Sequence, residues 1–522
     1  MSLCNICRQI SFENLPSLPK YYWNMFIGPG LVISVPHPDP RWPLVDSFGI
    51  PYHEDLDSLA RASQTCALCS LVHKQVTKFL WTVENGERVG NNGLIHYKTE
   101  KPRNYCLRIM KRKSSPDGFV VFTDGTKDNC IWYISVFGFT VPEGSPLAPK
   151  IKGRYVDVDP FSPSSLGRAV EWVKRCTQHH TRCTFDVDRG RIPLPRRVLD
   201  IGRSSSSNIR LLESEGIYGS YMSLSYVWGS VQPFETKLAT YKARIEGIPF
   251  QSLPKTIQDA VIITRKMGIQ YLWIDALCII QDDSSDWERE AAKMGDIYAN
   301  SYLTVSAAAA SDSSKGCFIP RSRPESVAFD YTSSDKISGK LVVSPIPIEK
   351  DDAPHEYLDM REEPISDRAW TLQERALPTR TLFYASDQMY FECKQEFISE
   401  DGLHIEGRYF STDTRTHHIS QDGQGDRSPR EHWNTLMTMY GPRKLTKRTD
   451  KFPAFSGIAQ RFEKILNDKL SLRLATCRSR CAFLVMGSDK RCIAFTSIPS
   501  RLLPIRRYPF LRRSDEGFES LW

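Results

Sequence analysis

The sequence predicts an α/β protein built around a central parallel sheet with helices on both faces. A cysteine-containing α+β region precedes this sheet and a helical tail follows it. Three observations predict this. Between Tyr221 and Phe318 apolar, β-prone runs alternate with helical signals, and strand–helix–strand–helix–strand is the order that builds a parallel sheet. Ahead of that stretch, paired cysteines and short β-prone runs stand among prolines and aromatics. Behind it, helical patterning returns from about residue 430.

The first strand is expected over Tyr221–Val227, ending at Trp228-Gly229 because glycine breaks the run. Leu253-Pro-Lys-Thr-Ile-Gln-Asp-Ala-Val261 predicts a helix from about Lys255, with the proline at its start. Tyr271–Ile274 is the second strand. Trp287, Ala291, Met294 and Ile297 recur at helical spacing, so a helix runs from about Asp286 with that stripe in the core and Glu290 beside it. Tyr302–Ser306 is the third strand, and Thr381–Tyr384 and Gln388–Cys393 are the last. Earlier, Phe119–Phe122 and Ile131–Phe137 read as strands. Residues 411–431 are polar and read as a surface loop.

At 522 residues, two or three folded units are expected. The boundaries drawn are 1–200, 218–395 and 430–522, the last ending in a basic run through Arg506, Arg507, Arg512 and Arg513. With 40% hydrophobic and 25% charged residues the composition is that of a globular protein. No run approaches the ~18 apolar residues of a membrane span. A net charge of +8 on this length is no nucleic-acid footprint. The N-terminus has no secretory leader, so a cytoplasmic location is expected, in which the 14 cysteines stay reduced. No Gly-rich phosphate loop sits between a strand and a helix, which disfavours dehydrogenases and ATPases, and no Gly-x-Ser-x-Gly elbow is present.

Reduced, paired cysteines read as metal ligands or as packed thiols. Cys4-x-x-Cys7 and Cys66-x-x-Cys69 could form the two knuckles of a structural zinc site, although 58 residues separate them. Cys176-x-x-x-His180-x-x-Cys183 offers three further ligands, alone or jointly with a CxxC pair. Asp275 ends the strand Tyr271–Ile274, where open α/β sheets place ligand contacts, or it bonds loop amides. Cys278 stands among apolar residues without a histidine nearby and reads as a buried thiol. Trp370-x-x-x-Glu374 sets an aromatic ring and a carboxylate one helical turn apart.

Three blocks in this order resemble the heterokaryon incompatibility (HET) domain of filamentous fungi. They are Leu224-Ser-Tyr-Val-Trp-Gly229, Tyr271–Asp283 with Trp287 and Glu290, and Arg368-Ala-Trp-Thr-Leu-Gln-Glu-Arg375. The segment Leu445–Ala459 resembles the region behind HET domains, but the Tyr-Leu-Ala-Gly-Leu-Trp-like stretch that often follows in the family is missing. The resemblance implies a role in non-self recognition and programmed cell death, with protein partners and self-association. Trp370-x-x-x-Glu374 also looks like the catalytic-glutamate segment of TIR domains, which implies a TIR/flavodoxin-like sheet and hydrolysis of the NAD N-glycosidic bond. On that reading Glu374 is catalytic, and Ser225, Tyr226, Trp228, Asp275 and Trp370 contact the nucleotide. The other reading is a non-catalytic adaptor that oligomerises and recruits an effector, with Glu374 paired to Arg368 or Arg375.

Overall fold

A computed structural model describes residues 2–17, 49–84, 106–112, 117–124, 131–183, 192–202, 208–229, 234–323, 325–347, 360, 362–406, 429–466, 481–486 and 491–496. Most of the polar stretch 411–431 and the basic run at 506–513 lie outside them.

The N-terminal region contributes α1 (Asn5–Gln9), β1 (Ile50–His53), α2 (Leu56–Ser63), α3 (Ala67–Glu84), β2 (Leu107–Lys111), β3 (Gly118–Asp124) and β4 (Ile131–Thr140). These strands form an antiparallel sheet in the order β1-β2-β3-β4-β11-β10. Its last two members, β10 (Val327–Thr332) and β11 (Ser338–Ile346), come from far along the chain. Leu68, Val72, Val76 and Phe79 recur at helical spacing on α3 and bury against Phe119, Val121 and Phe137 of the sheet.

The second sheet has nine strands in the order β15-β14-β13-β12-β9-β7-β8-β5-β6. In chain order the elements that build and cover it begin with α4 (Pro163–His179), β5 (Arg197–Asp200), β6 (Arg210–Glu213) and β7 (Tyr221–Ser225). Next come α5 (Leu238–Glu246), α6 (Lys255–Lys266), β8 (Tyr271–Trp273), α7 (Asp275–Cys278), α8 (Ser284–Ala299) and β9 (Leu303–Ser306). After β10 and β11 follow α9 (Thr371–Ala376), β12 (Arg380–Tyr384), β13 (Met389–Cys393), β14 (Glu396–Ser399) and β15 (His404–Glu406). The tail supplies α10 (Pro429–Tyr440) and α11 (Pro453–Leu466), and a separate ribbon pairs β16 (Cys481–Met486) with β17 (Arg491–Thr496).

The three expected strands and both expected helices form within two residues of their predicted ends. The expected parallel sheet does not. Only β8-β7-β9-β12 pair in parallel, and the five remaining pairings are antiparallel. The sheet is therefore mixed rather than a parallel TIR/flavodoxin-like one. Helical crossovers enforce parallel pairing from β7 to β9, whereas short turns after β12, β13 and β14 make each next strand fold back.

Every residue of β7 is buried. Alternation puts Met222 and Leu224 on one face of the sheet and Tyr221, Ser223 and Ser225 on the other. On the first face α4 brings Trp172 against Phe391 of β13. On the second, α8 accepts the Tyr221 hydroxyl at the Ile297 carbonyl, 2.6 Å away, and α9 presents Glu374 to Ser225. Asp283 caps α8 by accepting from the amides of Ser285 and Asp286. The buried pair Arg197–Asp286 then ties the start of α8 to β5. Helix α11 crosses α8 where Gly457 meets Gly295, so closely that a Cβ on Gly457 would stand 2.8 Å from the Gly295 Cα.

Candidate functional site

The order β8-β7-β9 reverses direction at β7, and such a switch point leaves a crevice beyond the carboxyl ends of the strands. Ser225 ends β7 and Ser306 ends β9, so both hydroxyl side chains stand at that edge. They line a narrow cleft with Thr371, Glu374, Arg375 and Arg443. It has room for about one water molecule.

Glu374 is buried there, and its Oε2 accepts a 2.5 Å hydrogen bond from Ser225 Oγ. Burial pushes its carboxyl up to about 7; the nearby Asp275 charge adds to this and the Arg368 guanidinium opposes it. Asp275 is itself held above the usual carboxylate range by burial, with Arg368 countering. Its oxygens accept from Trp228 Nε1 at 3.0 and 3.2 Å, and Oδ1 also accepts from the Ala276 amide at 2.7 Å. Arg368, whose charge acts on both carboxylates, donates to the Tyr226 carbonyl. Arg375 reaches the buried carboxylate of Glu392 and lies over the Phe383 ring.

Ser225, Tyr226, Trp228, Asp275 and Glu374 thus gather at the end of β7. Trp370 precedes α9 and meets Trp287 edge to face, with ring centroids 6.4 Å apart. Sequence reasoning missed Tyr298, whose hydroxyl donates to the Leu224 carbonyl and also reaches Glu374. It missed Arg443 as well, which donates to the Arg368 carbonyl and the Thr371 hydroxyl from beyond α10. Cys278 is buried, and burial pushes its thiol up to about 12, which leaves it a packing residue. Glu290 borders the α8 stripe, almost wholly buried, with Oε1 unpaired by any hydrogen bond.

Seven cysteines fall into two separate clusters, and none of these seven is in a disulfide. Cys4, Cys7, Cys66 and Cys69 form the first. Helix α1 docks on the start of α3 so that the two knuckles oppose each other across the long spacer. Their sulfurs are 3.5 Å (Cys7–Cys69), 3.6 Å (Cys66–Cys7) and 3.7 Å (Cys4–Cys69) apart. A tetrahedron with Zn–S bonds of about 2.3 Å has edges of about 3.8 Å. Tyr52 Oη and His53 Nε2 lie 3.3 and 3.4 Å from Cys69 Sγ, as outer partners for a thiolate. The second cluster holds Cys176, His180 and Cys183, joined by Cys393 of β13 rather than by a CxxC pair. Each cluster could hold a metal ion such as zinc.

Among the described residues no helix is long and apolar enough to cross a membrane. The family model for heterokaryon incompatibility protein (HET) matches residues 221–374. No curated protein and no solved structure matches the chain.

Proposed function

From the match of residues 221–374 to the HET family model we propose that the chain acts in fungal non-self recognition and programmed cell death by hydrolysing the N-glycosidic bond of NAD. Glu374 is the catalytic carboxylate of this reading. The observation that carries it is the meeting of the Ser225 hydroxyl and the Glu374 carboxyl at the switch point of the sheet.

Breaking the bond between nicotinamide and ribose sends the electron pair out with nicotinamide and leaves positive charge on the ribose. A carboxylate beside that ribose stabilises the charge as it develops, the same principle by which glycoside hydrolases work. Water then supplies the hydroxyl and releases a proton. Ser225 holds the Glu374 carboxyl in one orientation, and Arg368 favours its ionised form against burial. On this reading Tyr226 and Trp228 beyond β7 and Asp275 beyond β8 contact the nucleotide, although none of them lines the closed cleft. The cleft is too small for a dinucleotide, so catalysis needs it to open. Thr371 on α9 and Arg443 close it, and assembly with a partner or a second copy is the step that would draw them away.

The second reading, a non-catalytic adaptor, draws on the same closed cleft: a buried carboxyl bonded to Ser225 also serves simply to join α9 to the sheet. Nicotinamide release by the purified full chain incubated with NAD separates the two. The catalytic reading expects turnover that Glu374→Gln lowers about a hundredfold, equivalent to roughly 3 kcal/mol of transition-state stabilisation. It also expects loss of toxicity when that variant is expressed in a fungal host. A stable Glu374→Gln protein that kills as well as wild type overturns it and leaves the adaptor.

A further inference from the structure

We propose that Cys176, His180, Cys183 and Cys393 bind one structural zinc ion that locks the segment ahead of the HET match to a strand beyond it. Three of these ligands stand close together in sequence. Cys176 is in the last turns of α4, His180 follows its end, and Cys183 closes the 3-10 turn after it. The fourth lies more than two hundred residues later, at the end of β13. All four side chains are buried, and their ligand atoms lie within 4.8 Å of one another.

The geometry fits a tetrahedral ion. Zn–S and Zn–N bonds of about 2.3 and 2.0–2.1 Å at the tetrahedral angle place sulfur and nitrogen about 3.5–3.6 Å apart. Cys393 Sγ and His180 Nδ1 are separated by 3.4 Å. With Nδ1 turned to the thiols, the other ring nitrogen faces a carboxylate: Nε2 stands 3.8 Å from Glu396 Oε1. At this distance the carboxylate is an electrostatic neighbour rather than a hydrogen-bond acceptor, placed on the side of the ring where metal-bound histidines commonly meet one. Glu396 is anchored in turn by Arg175 at 2.5 Å and by His404 at 3.2 Å.

Charge fits as well. Three thiolates and one Zn²⁺ leave a net negative charge in a buried place, which is costly unless it is paired. Arg380, buried on β12, donates from Nε to Cys176 Sγ at 3.1 Å and from a terminal nitrogen to the Cys183 carbonyl at 2.6 Å. Three thiols and an imidazole packed for shape alone would not need a buried guanidinium aimed at one sulfur. Four protein ligands leave no open position, so the ion is structural. Its mechanical effect is to hold α4 on β13, at a point where both neighbours lie outside residues 221–374.

Elemental analysis of the full chain, purified under reducing conditions, tests this. About two zinc ions per chain are expected, one for each cluster. Cys393→Ser should leave about one, Cys66→Ser should also leave about one, and the double variant none. Cobalt loaded into the Cys66→Ser protein should give the visible absorption of a tetrahedral thiolate site, and His180→Cys should change that spectrum while retaining the ion. The last variant covers the case in which Cys393→Ser fails to fold. Zinc content unaffected by Cys393→Ser in a folded protein overturns the proposal. So does a wild-type chain whose whole metal content disappears with Cys66→Ser, or a Cys66→Ser protein that binds no cobalt.

Discussion

Glu374 has its carboxyl pushed up from 4.5 to about 7, chiefly by burial. For an acid whose folded value lies above its unfolded one, the folded state binds the extra proton. Stability is then fullest below about pH 4.5 and falls as the pH rises toward 7. The shift corresponds to roughly 3 kcal/mol. Glutamine at this position is neutral at every pH, so Glu374→Gln should gain on wild type by up to about that amount between pH 4.5 and 8. Thermal melts of both proteins across this range measure it. A difference that stays flat, or in which wild type gains as the pH rises, would mean that a cation holds the carboxylate ionised. The same ionisation should make nicotinamide release rise through about pH 7 to a plateau, if the catalytic reading holds. Sequence singled out Glu374 and Ser225 through the blocks that contain them. It did not show that they touch, because they stand 149 positions apart and only the crossovers of the sheet bring them together. Cys393 escaped for the same reason: it sits in an ordinary apolar strand, with no ligand near it in sequence to mark it.

At the scale of elements, local patterning carried β7, β8, β9, α6 and α8, since each writes its period into its own residues. Strand direction is not written there. β13 and β14 are buried throughout, just as β7 is, yet pair antiparallel, because the turn ahead of each is too short for a crossover. The link between α1 and α3 was legible only as two cysteine pairs. In the fold the first pair brings a five-residue helix against the start of α3, and so short a helix has little stability of its own. Serine at Cys66 and Cys69 should therefore release about one zinc and loosen the N-terminal segment. Hydrogen exchange should then show α1 losing protection while α8 and β7 keep theirs. Unchanged protection in α1 would mean that packing of Phe12 and Leu15 alone holds it in place.

Across the whole molecule, two cores share one chain that passes between them more than once. It builds β1–β4, crosses into the nine-stranded sheet, returns to lay β10 and β11 beside β4, and crosses back for α9 and β12. A fragment of residues 218–395 keeps the HET match but leaves Val342–Ile346 without the strand from Val136 to Thr140. That bare edge should make the fragment associate, and gel filtration should find it larger than a monomer or aggregated, whereas the full chain has this edge covered. The same threading sets a timetable during synthesis. Strand β4 emerges from the ribosome long before its neighbour β11, and at about 5–20 residues per second the wait lasts on the order of ten to forty seconds. Throughout it, a formed four-strand sheet, β1–β4, offers an open flank to any hairpin of matching register. On a crowded polysome, the hairpin of the chain ahead is already made.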